Sequence, residues 1–330
     1  MAYINTRTKA LLSSLMPSLV HATKMNFEQV GKVLHPFGDY TNLKANELAA
    51  ILLVHNDRPF LPAFLRHYRE LGVDQFLIVD DQSSDGSTEY LANQSDVHLY
   101  QSPLRYGEAA RGKIWRNELI KKYGRSRWFL SLDSDEYLLY NEMEKFRLPD
   151  LIRWLERKQK KRLATFMLDF YPSRPLREAH YTEGQIPWEL ADHFDATGYD
   201  STYHRLGMKI TGGVRSQVFE LKPMLQKFPL MYGDWLTGYF KTIHFPSPYW
   251  RNFGPANAML AHFKFFGDFL TRAEKAVVDK NYWGGARHYR VQHEKVSNDL
   301  EFNFLNLQSV KYTHPEQFSE LGLIDAIQWQ

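Results

Sequence analysis

Three acids in four residues, Asp133-Ser134-Asp135-Glu136, directly follow the apolar run Trp128–Leu132. Carboxylates paired in this way at the end of a buried strand are a ligand set for Mg²⁺ or Mn²⁺. Such ions favour oxygen and usually take only one or two protein carboxylates, leaving their other positions to waters and substrate phosphates. A cation held there stabilises the negative charge that builds on a departing diphosphate. The alternative for the same residues is a solvated turn in which Asp133 caps the next segment. A second acidic pair, Asp80-Asp81, closes the apolar run Phe76–Val79. Carboxylates there can accept from a ribose hydroxyl or a base imide. Asp85 and Ser87, in the loop that follows, read as turn and helix-capping residues.

The surrounding pattern places these acids. Leu48–Val54 is a continuous apolar run, as in a strand buried on both faces. His55-Asn56-Asp57 ends it, and Phe60, Leu61, Phe64, Leu65, Tyr68 and Leu71 then recur at helical spacing up to Gly72. Strands are expected at 75–80, 97–101 and 128–132, with helices after 87 and from about 108 to 123. A further helix follows Pro149 to about Lys160, and Leu163–Phe170 reads as a fifth strand. The fold class is therefore α/β, a mostly parallel sheet flanked by helices. On such sheets ligands bind at the carboxyl ends of the strands, where Asn56-Asp57, Asp80-Asp81 and Asp133–Glu136 fall. Residues 1–46 read as an N-terminal extension, 47–170 as a nucleotide-binding half, and 171–330 as a loop-rich acceptor side of the same unit.

These motifs resemble family-2-like glycosyltransferases of the GT-A fold, closest to a bacterial branch. Its members carry an Asn-Asp/Glu element (here Asn56-Asp57-Arg58), then a helix matched by Phe64–Asp74, a loop matched by Val79–Ser87, and an Arg-Asn helix matched by Arg116-Asn117. An Asp-x-Asp followed by Glu comes next, matched by Asp133, Asp135 and Glu136. The likeness is tight over about 90 residues and extends loosely through Phe194-Asp195, Gly212–Arg215 and His262–Lys264. It implies a GT-A (Rossmann-like) fold and transfer of a sugar from a nucleotide-sugar, UDP by preference, to a glycan or lipid-linked acceptor as polysaccharides are built. Asn56, Asp80, Asp81 and Arg116 would then serve the donor, with Asp80 and Asp81 on the nucleoside. Asp133 and Asp135 would hold Mn²⁺ or Mg²⁺ against the diphosphate.

The family's Glu-Asp pair after Gly-Gly-Phe is missing. An inverting transfer needs a carboxylate within reach of the acceptor hydroxyl, and Glu183, Asp192, Asp195 and Asp234 are the downstream candidates, Asp195 and Asp234 foremost. His262 sits among Phe263, Phe265 and Phe266, where an imidazole needs a partner. It is expected to complete the metal shell, with Lys264 balancing diphosphate charge. The alternative for His262 is a packed core histidine.

Composition narrows the rivals. A net charge of +3 does not suggest a nucleic-acid partner. The absence of cysteine excludes disulfides, zinc–thiolate sites and thiol nucleophiles, and fits a reducing cytosol. A sugar nucleotidyltransferase is disfavoured because the first strand meets His55-Asn56-Asp57-Arg58-Pro59 and no glycine-rich loop. A non-catalytic glycan- or nucleotide-binding protein is the rival from another class, and the intact Asp133/Asp135 pair speaks against it. Ala10–Val20 is read as an amphipathic surface helix rather than a signal peptide, since Ser13, Ser14 and Pro17 interrupt it. With the cationic run at 157–162, it suggests a cytoplasmic enzyme with peripheral contact to the inner face of a membrane.

Overall fold

The computed structural model describes residues 6–27, 33–279 and 286–330. The apolar runs become β2 (Ala49–Val54), β3 (Gln75–Asp80), β4 (Val97–Gln101) and β5 (Trp128–Asp133), with β1 (His35–Pro36) preceding them in the chain. The helices between them are α2 (Leu61–Glu70), α3 (Ser87–Ala92) and α4 (Lys113–Tyr123); α1 (Thr6–Phe27) precedes them all. A short β6 (Glu136–Leu139) and α5 (Leu148–Arg157) lead to β7 (Thr165–Asp169). Beyond it come β8 (His193–Asp195), the hairpin β9 (Tyr199–His204) and β10 (Gly207–Gly212), α6 (Val214–Phe219), β11 (Gln226–Lys227), β12 (Leu230–Tyr232) and β13 (Ala258–His262). α7 (Phe269–Asp279), α8 (Arg287–Ser297), β14 (Ser309–Lys311) and α9 (Gln317–Glu320) complete the described elements.

The main sheet has the order β1-β4-β3-β2-β5-β12. Its four central strands are parallel and its two edges antiparallel. The chain builds outward from β2 to β3 and β4, then returns to place β5 on the other side of β2. That reversal opens a crevice between the carboxyl ends of β2 and β5, the position where doubly wound sheets bind ligands. A second sheet, β11-β7-β13-β6, abuts the first, and Asp133–Glu136 is the turn that carries the chain from one sheet to the other.

Successive residues of each central strand pack on opposite faces, as a pleated strand requires. Ala50, Leu52, Phe76, Ile78 and Leu130 meet Phe64, Leu65 and Tyr68 of α2. Ile51, Leu53, Leu77, Val79 and Phe129 meet Trp115, Leu119 and Ile120 of α4. Burial on both faces is why these strands read as unbroken apolar runs.

Two expectations change. The helix expected from about 108 begins at Lys113, because Ala110, Arg111 and Gly112 have φ of 52°, 61° and 71°, a left-handed path no α-helix can follow. The N-terminal extension is part of the fold rather than an appendage: β1 pairs with β4, and α1 packs against the turn at Tyr249–Arg251. No helix among the described residues is long and apolar enough to cross a membrane.

Candidate active site

The acids of the Asp133–Glu136 turn do not splay into solvent. Asp133, at the end of β5, is gripped by two cations. Arg116 reaches it from α4, also donating to Ser131 Oγ at 3.0 Å and to the Leu132 carbonyl at 3.1 Å. Lys227 on β11 donates to Asp133 at 2.7 Å and also to Glu136. Burial alone would raise the Asp133 carboxyl, but Lys227 and Arg116 outweigh it and hold the group well below the usual carboxylate range. Glu136 is 1% exposed, and burial beside Asp133 and Asp135 pushes it up to about 7 despite Lys227.

Asp135 faces a different partner. β13 lies between β6 and β7, and its register sets His262 opposite Glu136 on one side and Asp169 on the other. The imidazole therefore spans two carboxylates: Nε2 lies 3.1 Å from Asp135 Oδ2 and Nδ1 lies 2.6 Å from Asp169 Oδ1. Desolvation disfavours a charged ring there, yet Asp135 and Asp169 raise His262 to about 9. Asp169 is anchored in turn by Arg215 Nε at 2.7 Å. Arg215 owes its position to Gly212-Gly213. At Gly212, with φ of 123°, a Cβ would lie 2.1 Å from the Gly198 carbonyl oxygen, so only glycine allows the close crossing that starts α6.

Lys264, two residues beyond His262, lies 4.0 Å from the Tyr289 ring centroid. Desolvation, then Arg215, lowers its amine to about 7, and the fields of Asp135, Asp169 and Arg272 also reach it. Lys264, Arg215 and Arg272 thus bring positive charge to the side of the cluster where Asp135 and His262 sit.

On the β2 side of the crevice, Ser134 Oγ donates to Asp57 at 2.8 Å, tying the acidic turn to the end of β2. Burial raises Asp57 to about 6. Asn56 accepts from the Ser84 amide at 2.8 Å and joins the loops after β2 and β3. Asp80 is 1% exposed and serves its own loop, accepting from Thr88 Oγ1 at 2.9 Å. Asp81 accepts from Arg105 Nε at 3.1 Å and the Tyr106 amide at 3.2 Å.

The two carboxylates expected foremost as a base part company. Asp195, on β8, lies close enough to Asp169 for that charge to raise it, after burial. Tyr171 and Asn306 donate to its Oδ1, and Gln217 to its Oδ2 at 3.1 Å. Asp234 follows β12, whose Tyr232 pairs with Trp128 at the opposite end of β5 from Asp133. Five residues of strand make that separation about 17 Å. Asp234 is held by Arg251 at 2.6 Å and Lys161 at 3.4 Å, and the structure does not bring it to the acid cluster. Glu183 pairs with Arg58 at 2.7 Å, and Asp192 with His193 at 2.7 Å. The cationic run at 157–162 is likewise divided: Arg162 is 3% exposed and donates to the Pro246 carbonyl at 2.8 Å, while Lys160 donates to Asn257 at 3.0 Å.

Asp169 and Lys227 join the cluster without having been named from the sequence, while Asp57 was read only as part of a strand-end group and Arg215 only within a loose likeness. Asp169 carried the same signal as the others, an acid closing a buried strand. Lys227 carried none, because nothing local distinguishes it within a loop-rich half.

Carboxylate and imidazole are side chains that a divalent cation takes. Among the described residues no group of three or more His, Cys, Asp or Glu side chains is placed to hold a metal ion. Asp135 and His262 nonetheless converge, with side chains 30% and 10% exposed, and Asp169 orients the ring through its other nitrogen. A carboxylate behind a ligating histidine is the usual support of such a ligand, and Mg²⁺ or Mn²⁺ fills its shell from phosphates and water. Away from this cluster, a groove of about 650 Å³ lies between β9–β10 and residues 321–325, with Tyr199, Tyr203, Phe166 and Phe253 among its walls.

No family model and no curated protein matches the chain. Among solved structures, it is similar to a mannosyltransferase from Pyrobaculum calidifontis in complex with GDP-Man and Mn²⁺, at 16% identity and a TM-score of 0.27, over 51% of this chain and 46% of that one. It is similar to a 4-diphosphocytidyl-2C-methyl-D-erythritol synthase at 17% identity and a TM-score of 0.27, over 44% and 68% of the two chains. A UTP-bound UGPase from Acinetobacter baumannii is 11% identical at a TM-score of 0.28, over 77% and 84%. The chain spans less than half of the mannosyltransferase's length.

Proposed function

We propose that the chain is a metal-dependent glycosyltransferase, moving a sugar with inversion from a nucleotide-sugar, a UDP-sugar by the resemblance of its motifs, to a glycan or lipid-linked acceptor. The observation that supports it most is the Asp135–His262–Asp169 array set against Asp133 and Lys227 beside the β2/β5 crevice. Asp135 and His262 would hold Mn²⁺ or Mg²⁺, and the cation, when bound, supplies neutralisation of the diphosphate charge. Asp133 keeps about a third of its side chain exposed and turns that edge toward the donor, while Arg116 acts through it as a positioning residue. Lys264, whose amine desolvation and Arg215 lower to about 7, would be held charged by a diphosphate beside it and balance that charge. Asp81 and Asp80 border the nucleoside, with Asn56 fixing the loop between them and the acidic turn.

Calorimetric titration with UDP and Mn²⁺ tests the donor assignment. Binding by the wild type, weakened at least about tenfold in Asp81→Ala, is expected for a lost charge-assisted contact. Equal affinity in the two proteins would refute Asp81's role. Turnover of a UDP-sugar should release UDP; release of pyrophosphate would instead identify a nucleotidyltransferase.

Asp195 is the carboxylate proposed to take the acceptor proton, since it alone of the foremost pair lies near Asp169. Asp195→Asn should lower kcat by about 10²-fold or more and leave donor affinity unchanged. Asp234→Asn should leave kcat intact. Burial would raise Asp234, but Arg251 lowers it from 3.8 to about 2. A depressed carboxyl stabilises the fold above its unfolded value and loses that contribution as pH falls toward 2. The Asn variant should therefore be less stable by about 1–2 kcal/mol near neutrality, and the gap should close in acid. Loss of kcat in Asp234→Asn with Asp195→Asn fully active would reverse the assignment.

A further inference from the structure

A helix on a protein surface ordinarily turns its apolar side inward. α1 does the reverse. Its inward side is Ala10, Ser14, Ser18 and His21, all buried. The contacts there are largely polar: Ser18 Oγ accepts from the Tyr249 amide at 2.8 Å, and His21 Nδ1 lies 2.8 Å from the Tyr249 hydroxyl while its ring stacks on Phe240. Leu12, Leu15, Met16, Leu19 and Val20 face outward, 41–69% exposed. At 3.6 residues per turn these five fall within an arc of about 140°, opposite the buried four. Hydrogen bonds and a ring stack thus fix the helix with its greasy side exposed, an arrangement that burial within this chain does not explain.

Charge identifies the occupant. α1 contains no acidic residue, and Arg7 and Lys9 lie at its start. Toward its other end Lys241 follows Phe240, and Arg205 is near enough to Tyr249 for its charge to oppose the rise to about 12 that burial causes in the hydroxyl. Lys113, which donates to the Phe240 carbonyl at 3.0 Å, adds another cation. Trp235, 58% exposed, adjoins Asp234, which Arg251 holds beside the turn that α1 packs on. We propose that α1 is a monotopic docking element that lays its Leu12–Val20 face into the interfacial layer of an anionic phospholipid surface, with cations at both ends on the headgroups. An apolar stripe flanked by Lys and Arg, with an aromatic at the margin, is the chemistry of such helices. A second copy fits less well, because a two-fold contact would set Arg7 and Lys9 against the cations of its twin. These cations are not those of the 157–162 run, and one of them, Arg7, also donates to the Phe253 carbonyl at 3.1 Å.

The test is flotation of the full chain with vesicles of phosphatidylcholine alone and with added phosphatidylglycerol, which requires neither donor nor turnover. The wild type should float with the anionic vesicles at low salt, and at least about tenfold less with the neutral ones. Leu12→Ser/Leu15→Ser/Leu19→Ser should lose at least tenfold of the anionic binding. Because these side chains already face solvent, its melting temperature should match the wild type, which separates a docking role from a folding one. Arg7→Glu/Lys9→Glu should also weaken binding. Absence of wild-type binding, or full binding by the triple Ser variant, overturns the proposal. So does concentration-dependent self-association abolished by the Ser variant without vesicle binding, which would assign the face to a second copy.

Discussion

Asp135→Ala should reduce sugar transfer by about 10²–10³-fold or more, the range expected when a group that stabilises developing charge is removed. The fold should tolerate the change. The Asp135 side chain is 30% exposed and, among the described residues, its carboxylate meets His262 alone in the hydrogen-bond network, while its backbone carbonyl, which accepts from the Phe263 amide at 2.8 Å, survives substitution. His262 retains Asp169 at 2.6 Å, so the ring is not left unpaired. Product formation and thermal melting on the same preparation separate the two effects, and EDTA should abolish transfer by the wild type. Undiminished transfer in EDTA, or an Asp135→Ala variant within about tenfold of wild type, would sink the metal-dependent reading.

Lys227→Ala should be the most damaging substitution for stability, by about 3–5 kcal/mol, because deleting one member of a buried ion cluster leaves its partners uncompensated. Lys227 is 6% exposed and stands between Asp133 and Glu136, with Asp135 close by. Without it the buried Glu136 loses its cationic partner beside two further carboxylates, while Asp133 keeps Arg116 and Asp135 keeps His262. Glu136 already lies at about 7 against an ordinary value of 4.5, burial being the main cause. A carboxyl raised in the folded state favours folding while protonated, and that contribution is lost as pH rises through the folded value. The deficit of the variant should therefore be largest above pH 7 and shrink toward pH 4.5. Urea unfolding at pH 7.5 and pH 5.5 measures both quantities. A deficit under about 1 kcal/mol at the higher pH would show that the cluster is solvated enough to need no counter-charge.

Local sequence determined the nucleotide-binding half because its strands are buried on both faces and its helices on one. Val97–Gln101 and Gln75–Asp80 were legible to the residue, and Trp128–Leu132 to within one. The acidic groups at strand ends were legible for the same reason, since a run of apolar residues cannot continue through carboxylates. α1 was only half legible. Its apolar run suggested a surface helix, but which side faces the body depends on Tyr249 and Phe240, more than 200 residues away.

The sequence by itself determined the α/β class, the order of the elements from β2 to β5, with α5 and β7 after them but not β1 or β6, and the place of Asp133 and Asp135 at a strand end. It also marked His262 as an imidazole needing a partner, and left open whether that partner was a metal site or the core. Only the tertiary structure decided that β13 inserts between β6 and β7, setting His262 between Asp135 and Asp169. The same folding brings Lys227 beneath the acidic turn and carries Asp234 to the far end of β5. The contacts of His262 and Lys227 join residues 91 to 127 positions apart, and they follow from strand register and sheet order. Register is a property of two strands at once, and for the short strands β11 and β13 no pattern within either one specifies its neighbour.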